Sequence, residues 1–376
     1  MSKVTDIIAD VARIDSIEVT ANTAGGIGSF IDTSIAISSD GTALANDDGS
    51  DNRNIAIGIG SSVGMTTASG NVGIGASTLA SAVSSINNIG IGGATLYYNT
   101  IGYDNTNIGF QSGFNNTTGI RNIGLGSQAL YGNATSKLTG SYNTGIGFQS
   151  GYNLTTGQYN VLMGYKAGYN LTTAVDSVHI GKNAGFYTTG GYNTFIGEGA
   201  GAGVSTGQYN VSIGQGSGAT LSSAYITGSL NTFIGVGAKP SSTSVSNEIT
   251  LGYSGISTLR CQVTTITALS DERDKTDITD LDVGLDFINS LRPVDFTWNM
   301  RDGGKVGVPE IGFIAQELQQ AQIDNNKVIP QLVMDNNPDK LEAGYGALLP
   351  VMVQAIKELS SKVDDLTTEL NTLKGL

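Results

Sequence analysis

Between Asn54 and Gly252, apolar and polar positions recur in a fixed order. Twelve units begin at Asn54, Asn71, Asn88, Asn105, Asn122, Asn143, Asn160, Ser177, Asn193, Asn210, Asn231 and Glu248. The interval from Asn54 to Asn71 is the rule; those after Asn122 and Asn210 are longer, and the one after Ser177 is shorter. The second residue is always Ile, Val or Thr; the fourth is Ile in nine units, with Leu125, Met163 and Leu251 as variants. Gly is fifth in all twelve, and the eighth residue is Ala, Ser or Thr in the first eleven. Alternation at positions two and four puts both side chains on one face of a strand, and β-branched residues favour that half-buried setting. The Gly suits a sharp bend where a Cβ would clash or φ is positive. Small residues at position eight point to a second close approach of backbones. Each unit therefore predicts a strand, a bend, a second strand and a turn such as Asn153-Leu154-Thr155-Thr156-Gly157. Such a unit cannot bury its own apolar face and must stack on its neighbours, giving at one rung per unit a shaft of roughly 60 Å.

After Ser270 the pattern becomes that of a mixed domain. Leu281–Leu291 has helical apolar spacing and stops before Pro293. Val294–Trp298 reads as a strand, Gly303-Gly304 as its turn, and Ile311–Leu318 as a strand running into a helix. Ile356, Leu359, Val363, Leu366, Leu370 and Leu373 alternate at +3 and +4, a coiled-coil seam that extends back through Met352 and Leu349. Ahead of the repeat, Val4, Ile7, Val11 and Ile14 have helical spacing, while Ile17–Thr20 and Ile31–Ser38 read as short strands. The predicted fold is mainly β: a β-roll or β-solenoid-like shaft, then a small α+β domain ending in a coiled-coil helix. Its segments are 1–53, 54–269 and 270–376.

Composition sharpens the last boundary. Of 53 glycines, 45 precede Ser270, whereas five of six prolines follow it. Residues 1–269 hold 9 Lys/Arg and 13 Asp/Glu and residues 270–376 hold 10 and 19, so −9 of the net −13 lies from Ser270 onward. An acidic chain without a basic cluster argues against nucleic acid as a partner. No apolar run has the length of a membrane span, so membrane insertion is not expected, and the N-terminus lacks the layout of a signal peptide. One cysteine, Cys261, cannot form an intrachain disulfide or a Cys-based zinc site and reads as a small buried hydrophobe. The single histidine, His179, occupies a third position and reads as an outward-facing variable residue; no metal or other cofactor is expected. Gly214-Gln215-Gly216 is a by-product of the repeat, without the helix a dinucleotide site requires. Asn115 and Asn153 match glycosylation acceptors, but nothing indicates a secreted eukaryotic context. The two long intervals carry extra residues within Tyr131–Ser141 and Ala219–Ser229, which should loop outward with Lys137 and Tyr225.

Two family resemblances add to this reading. The wording N-T-x-I-G-x-x-A-G…T-T-G resembles repeats in bacteriophage tail fibres and, more loosely, the β-roll heads of trimeric bacterial adhesins. Residues 270–376 resemble the intramolecular chaperone auto-processing domain of phage tail spikes and fibres. That match rests on Ser270-Asp271-Glu272-Arg273-Asp274-Lys275, Leu291-Arg292-Pro293, Trp298, Gly312-Phe313-Ile314-Ala315-Gln316-Glu317, Tyr345, Leu349-Pro350 and Ala355-Ile356-Lys357-Glu358-Leu359. The resemblance implies a homotrimer whose C-terminal domain sets the shaft's register and then cuts itself off. It implies a Ser270–Lys275 dyad and cleavage between Leu269 and Ser270. By the same analogy the N-terminal piece attaches to a tail or baseplate protein, and the fibre, made in the host cytoplasm, joins the virion and meets a host surface glycan or receptor.

A serine hydroxyl is a weak nucleophile and needs a base within hydrogen-bond reach. With His179 far off in the shaft, Lys275 fills that role if it is neutral, which requires burial or a nearby cation. Arg273 could supply the cation, Asp271 and Asp274 would oppose it, and Glu317 is a further supporting candidate. A repeat whose units look so alike specifies register weakly, which gives a C-terminal trimeriser its purpose. Two alternatives stand beside this reading. A depolymerase would need paired carboxylates about 5–10 Å apart, whereas Asp104, Asp176, Glu198 and Glu248 lie in different units. A bacterial surface adhesin would need a secretion signal.

Overall fold

The computed structural model describes residues 29–31, 34–38, 41–48, 52–133, 135–219, 225–256, 258–260, 262, 269–301 and 303–375. The periodicity of Val4–Ile14, the strand at Ile17–Thr20, and Cys261 lie outside them. Two compact units divide between Gly252 and Tyr253, upstream of the compositional boundary at Ser270.

The first unit is a parallel β-solenoid of about twelve turns. Twelve three-residue strands, from Ile55–Ile57 to Ile249–Leu251, pair in parallel in sequence order. They continue a parallel pairing with Ser34–Ile37, whose other edge carries Ser29–Ile31 antiparallel. Each turn has one strand rather than the expected two. Among the described residues the second strand survives only as single bridges at Ser69–Ile86, Asn116–Leu138 and Val204–Ile226. The physical reason is the left-handed backbone after each bend, as at Ser77 (φ 55°) and Leu79 (φ 52°), which prevents an extended run.

The inward face also differs from expectation. It is position three that points into the solenoid: Ala56, Leu162, His179, Phe195, Ser212 and Phe233 are buried. Positions two and four face outward, with Ile108 41% and Ile234 43% exposed. His179 is therefore an interior residue and not an outward-facing one. Its ring stacks on Phe195 at 4.8 Å, and neither ring nitrogen has a hydrogen-bond partner. Repetition of Ile and Val at two and four disguised which face is inside, because the interior column varies from Gly to Phe.

That variation is complementary across the core. Where position three is Gly73 or Gly90, the ninth residue is Leu79 or Leu96, both fully buried. Where it is His179 or Phe195, the ninth is Gly185 or Gly201, and a Cβ there would collide with the ring. The fifth-position glycines are required twice over. At Gly75 φ is +130°, and a Cβ would stand 2.6 Å from the Gly92 carbonyl oxygen of the next turn.

The unit-opening asparagines are buried and form a column that the sequence pattern alone did not reveal. Asn143 Oδ1 accepts from the Asn160 backbone N–H at 3.1 Å, and Asn143 Nδ2 donates to the Gly157 carbonyl at 2.9 Å. The same pair of bonds recurs at Asn71, Asn88 and Asn105. At Ser177 the column narrows to a hydroxyl, which still accepts from the Asn193 N–H at 3.3 Å. Of the insertion residues, Thr135 and Ser136 are exposed and Leu138 returns to the core, while 220–224 lie outside the described residues. Lys137 is engaged by the protein itself, donating to Asn115 Oδ1 at 2.7 Å with Nζ 4.0 Å from the Tyr98 ring centre.

The second unit has a core of Val283, Phe287, Leu318, Ile329, Leu332, Leu348 and Val351. Helix α1 (Leu285–Ser290) precedes a hairpin of Val294–Asn299 and Val306–Gly312, turned through Gly303 at φ 73°. Helix α2 (Ala315–Asp324) follows the hairpin directly, as the apolar pattern predicted. A small pairing of Val333–Met334 with Glu342–Ala343 leads to helix α3 (Leu348–Lys374). Only the first turns of α3 are buried, through Leu348, Val351 and Ala355. The seam from Met352 through Ile356, Leu359, Val363, Leu366 and Leu370 to Leu373 is bare in the single chain.

Two predictions test this packing. Asn143→Leu leaves the Asn160 N–H and the Gly157 carbonyl without partners, at about 1–3 kcal/mol per orphaned group. Denaturant titration should show a large loss for Asn143→Leu and almost none for the neighbouring outward Thr144→Ala. Burial pushes the His179 imidazole down from 6.5 to about 3. The unfolded chain therefore takes up a proton below pH 6.5 that the folded shaft refuses, and stability falls as pH drops from 6.5 toward 3. Between pH 6.5 and 5 the loss should be about 1.5 kcal/mol, and His179→Leu should remove it in unfolding titrations run at both pH values.

Candidate self-cleavage site

Ser270 and Lys275 are brought together by a tight local turn. Asp271 caps the 3₁₀ turn Glu272–Asp274 by accepting from the Arg273 backbone N–H at 2.9 Å. The Lys275 N–H then closes the turn on the Glu272 carbonyl at 3.1 Å. The chain is reversed over this short stretch, so the Lys275 side chain reaches back over Ser270. Its Nζ donates to Ser270 Oγ at 2.7 Å and lies 3.3 Å from the Ser270 carbonyl oxygen. An amine at this distance from a hydroxyl can exchange a proton with it, which is the geometric requirement for activating a serine.

Asp271 and Arg273 are placed beside this pair but are bound to each other. The guanidinium grips the carboxylate through Nε at 3.0 Å and Nη2 at 2.6 Å. The side-chain hydrogen bonds from Arg273 hold the Asp271 carboxyl below its ordinary value, and the same bonds raise Arg273. Arg273's charge is thus taken up by Asp271 in this arrangement. Its pairing leaves burial as the route to a neutral Lys275, and both Ser270 and Lys275 are exposed in the single chain.

Glu317 belongs to a different cluster. It sits in the first turn of α2 and forms an ion pair with Arg292, through Nε at 3.0 Å and a shorter contact from Nη2. Hydrogen bonding from Arg292 holds the Glu317 carboxyl below its ordinary value. The two residues line a cleft with Leu291, Phe313 and Ile314. A residue the sequence reading left without a role is Glu358. Its carboxylate, just past the buried start of α3, accepts from the Leu285 N–H at 2.7 Å and fills the space beside Gly284. This clasp ties the last helix to the start of α1; a lone Glu in a helical run gives no sequence signal of it.

Among the described residues, no group of three His, Cys, Asp or Glu is arranged to hold a metal. No described helix is long and apolar enough to cross a membrane.

Residues 270–334 match a family model described as chaperone of endosialidase. The match begins at Ser270 itself, contains the Ser270–Lys275 turn and ends at Met334 on the short strand before α3. It supports a C-terminal intramolecular chaperone domain, and the family's classification as a peptidase supports self-cleavage in general terms. No curated protein and no solved structure matches the chain.

The geometry separates the candidates experimentally. Ser270→Ala and Lys275→Ala should each leave the chain intact after folding, whereas Glu317→Gln should still be cut. Mass spectrometry of the purified products checks this, and cleavage in Lys275→Ala would remove the amine from the chemistry.

Proposed function

We propose that the protein is a homotrimeric phage tail fibre whose C-terminal domain assembles the trimer, guides the shaft and then releases itself between Leu269 and Ser270. The observation that carries this reading is the 2.7 Å contact of Lys275 Nζ with Ser270 Oγ at the start of the matched chaperone segment. In the proposed reaction, neutral Lys275 accepts the Ser270 hydroxyl proton as Oγ attacks the Leu269 carbonyl carbon. The Leu269–Ser270 C–N bond then breaks as the amine nitrogen takes the proton from Lys275, leaving an ester on Oγ. Water hydrolyses that ester to a Leu269 carboxylate and restores the hydroxyl.

Exposure of the dyad in one chain makes assembly a natural trigger. A neighbouring protomer covering Lys275 would favour its neutral form by desolvation. Cutting would then follow folding, and loss of the scaffold would leave the shaft kinetically trapped. Two bare surfaces support self-association. The α3 seam offers a coiled-coil interface. On the shaft, the side chains at positions two and four of the twelve units include no charge and face outward. Twelve rungs at about 4.8 Å, each with a span of about 7 Å between those positions, make a band of about 400 Å², in the size range of surface patches that often serve as interfaces.

In this reading the N-terminal residues attach to a tail or baseplate protein, and the assembled fibre, made in the host cytoplasm and carried on the virion, recognises a host surface glycan or receptor. The depolymerase alternative is not favoured: Lys182 engages Glu198 at 2.9 Å and Arg121 engages Asp104 at 3.4 Å, so two of the four shaft carboxylates are already in ion pairs.

Expression of the full chain should give a shaft ending at Leu269 and a separate fragment running from Ser270 to Leu376, with light scattering reporting a trimeric shaft. A chain ending at Leu269 should aggregate or fold heterogeneously when expressed alone. Efficient folding of that shortened chain into the same trimer would remove the chaperone role; a full chain that stays uncut would remove the dyad.

A further inference from the structure

We propose that the shaft carries a binding slot for a single pyranose ring, walled by Tyr159 and Tyr192 and floored by Asp176. The proposal deepens the fibre reading above by placing glycan contact at one rung. Tyr142, Tyr159, Asp176, Tyr192 and Tyr209 all immediately precede a unit's opening residue. All five have a left-handed backbone, with φ between 52° and 61°, so their side chains leave the solenoid in one direction. The N–H groups of Tyr142, Tyr159, Asp176 and Tyr192 each bond to the preceding rung, Asp176 to Gln158 and Tyr192 to Val175, so the backbone keeps its register through Asp176. Within it Tyr142 stacks on Tyr159 at 5.0 Å and Tyr192 on Tyr209 at 4.7 Å, with interplanar angles of 12° and 7°. Asp176 interrupts the column between these two stacked pairs.

Rung spacing puts Tyr159 and Tyr192 two rungs apart across the interruption, about 9.6 Å, with no other ring of the column between them. A ring placed midway meets each face at about the distance at which the column's own rings stack. The aspartate is too short to fill that space, and its carboxylate lies at the base. No hydrogen bond or ion pair engages that carboxylate among the described residues, and Tyr159 and Tyr192 are 53% and 41% exposed. A pyranose suits this geometry: its C–H faces are apolar and meet the rings, while its equatorial hydroxyls donate to the carboxylate. A flat aromatic ligand without donors would strip water from Asp176 and return nothing.

Three departures from the repeat fall at this rung. Ser177 replaces the opening Asn, His179 fills the interior, and the interval that follows, to Asn193, is the short one. Packing accounts for His179 and Gly185 together; the position before each unit varies along the shaft, with Asn87, Asp104 and Arg121 ahead of the tyrosines and Leu230 and Asn247 after them, and only at Asp176 does a short side chain stand between two stacked tyrosine pairs.

Saturation-transfer NMR on the protein as expressed, with free glucose, galactose and N-acetylglucosamine as probes and choline as a cationic comparison, tests the slot. The expected result is transfer to ring C–H protons of at least one sugar, with affinity reduced about tenfold or more in Asp176→Asn. Asp176→Tyr should complete the column, leave the melting temperature unchanged or raised, and abolish transfer. Absence of transfer to every sugar, transfer surviving Asp176→Tyr, or a choline signal alone that Asp176→Tyr removes would overturn the proposal. If trimer formation and cleavage persist in that event, the fibre reading stands without this site.

Discussion

The solenoid depends on one repeated interaction: a buried asparagine side chain that accepts from the backbone of the next turn and donates to a carbonyl closing its own turn. A coil with such short strands leaves most backbone groups outside a conventional ladder. Buried polar groups without partners are costly, so the loops need a bonding scheme of their own. The column supplies part of it in the same place on successive rungs, as from Asn143 to Asn160. Ser177 marks its limit: a hydroxyl keeps the link to Asn193 but lacks an amide to reach across the turn.

Once the asparagines hold the turns, the interior is free to vary. Size trades across the core between the third and ninth positions, Gly73 with Leu79 at one end and Phe195 with Gly201 at the other. The chain can therefore hold an unsatisfied imidazole such as His179 at a place where only shape matters at neutral pH. The outside is constrained differently. Short strands with β-branched flanks leave an uncharged outer band, and α3 leaves an unpaired seam, so both units carry apolar surface that a single chain does not cover. The proposed trimer answers both with one assembly.

The proposed cleavage site rests on local chemistry rather than on a preformed cavity. A capped turn returns Lys275 to Ser270, and the Asp271–Arg273 pair removes the nearby charge that could have activated it. In the proposed reaction, control passes from the turn to whatever excludes water from the amine. In that sense the exposed dyad is consistent with chemistry that waits for assembly.

The repeat, its period, the invariant Gly bend and the apolar seam of α3 were legible in the amino-acid order, because each is a local pattern with a fixed spacing, whereas the candidate pair Ser270 and Lys275 came only from the family resemblance of residues 270–376. The glycine bend is the clearest case, since φ and crowding at Gly75 both demand it. What the order could not settle was which face of so short a strand turns inward. Positions two and four look like core by their chemistry, and only closure of the coil puts position three inside, with His179 among its residues. Arg273 and Glu317 show the same limit: their types suit support of the dyad, but Asp271 and Arg292 claim them through side-chain geometry. Spacing along the chain determines which elements form and which residues share a turn. Direction into or out of a coil, and the partner a charge finds, depend on contacts between turns, and those exist only after the chain has closed on itself.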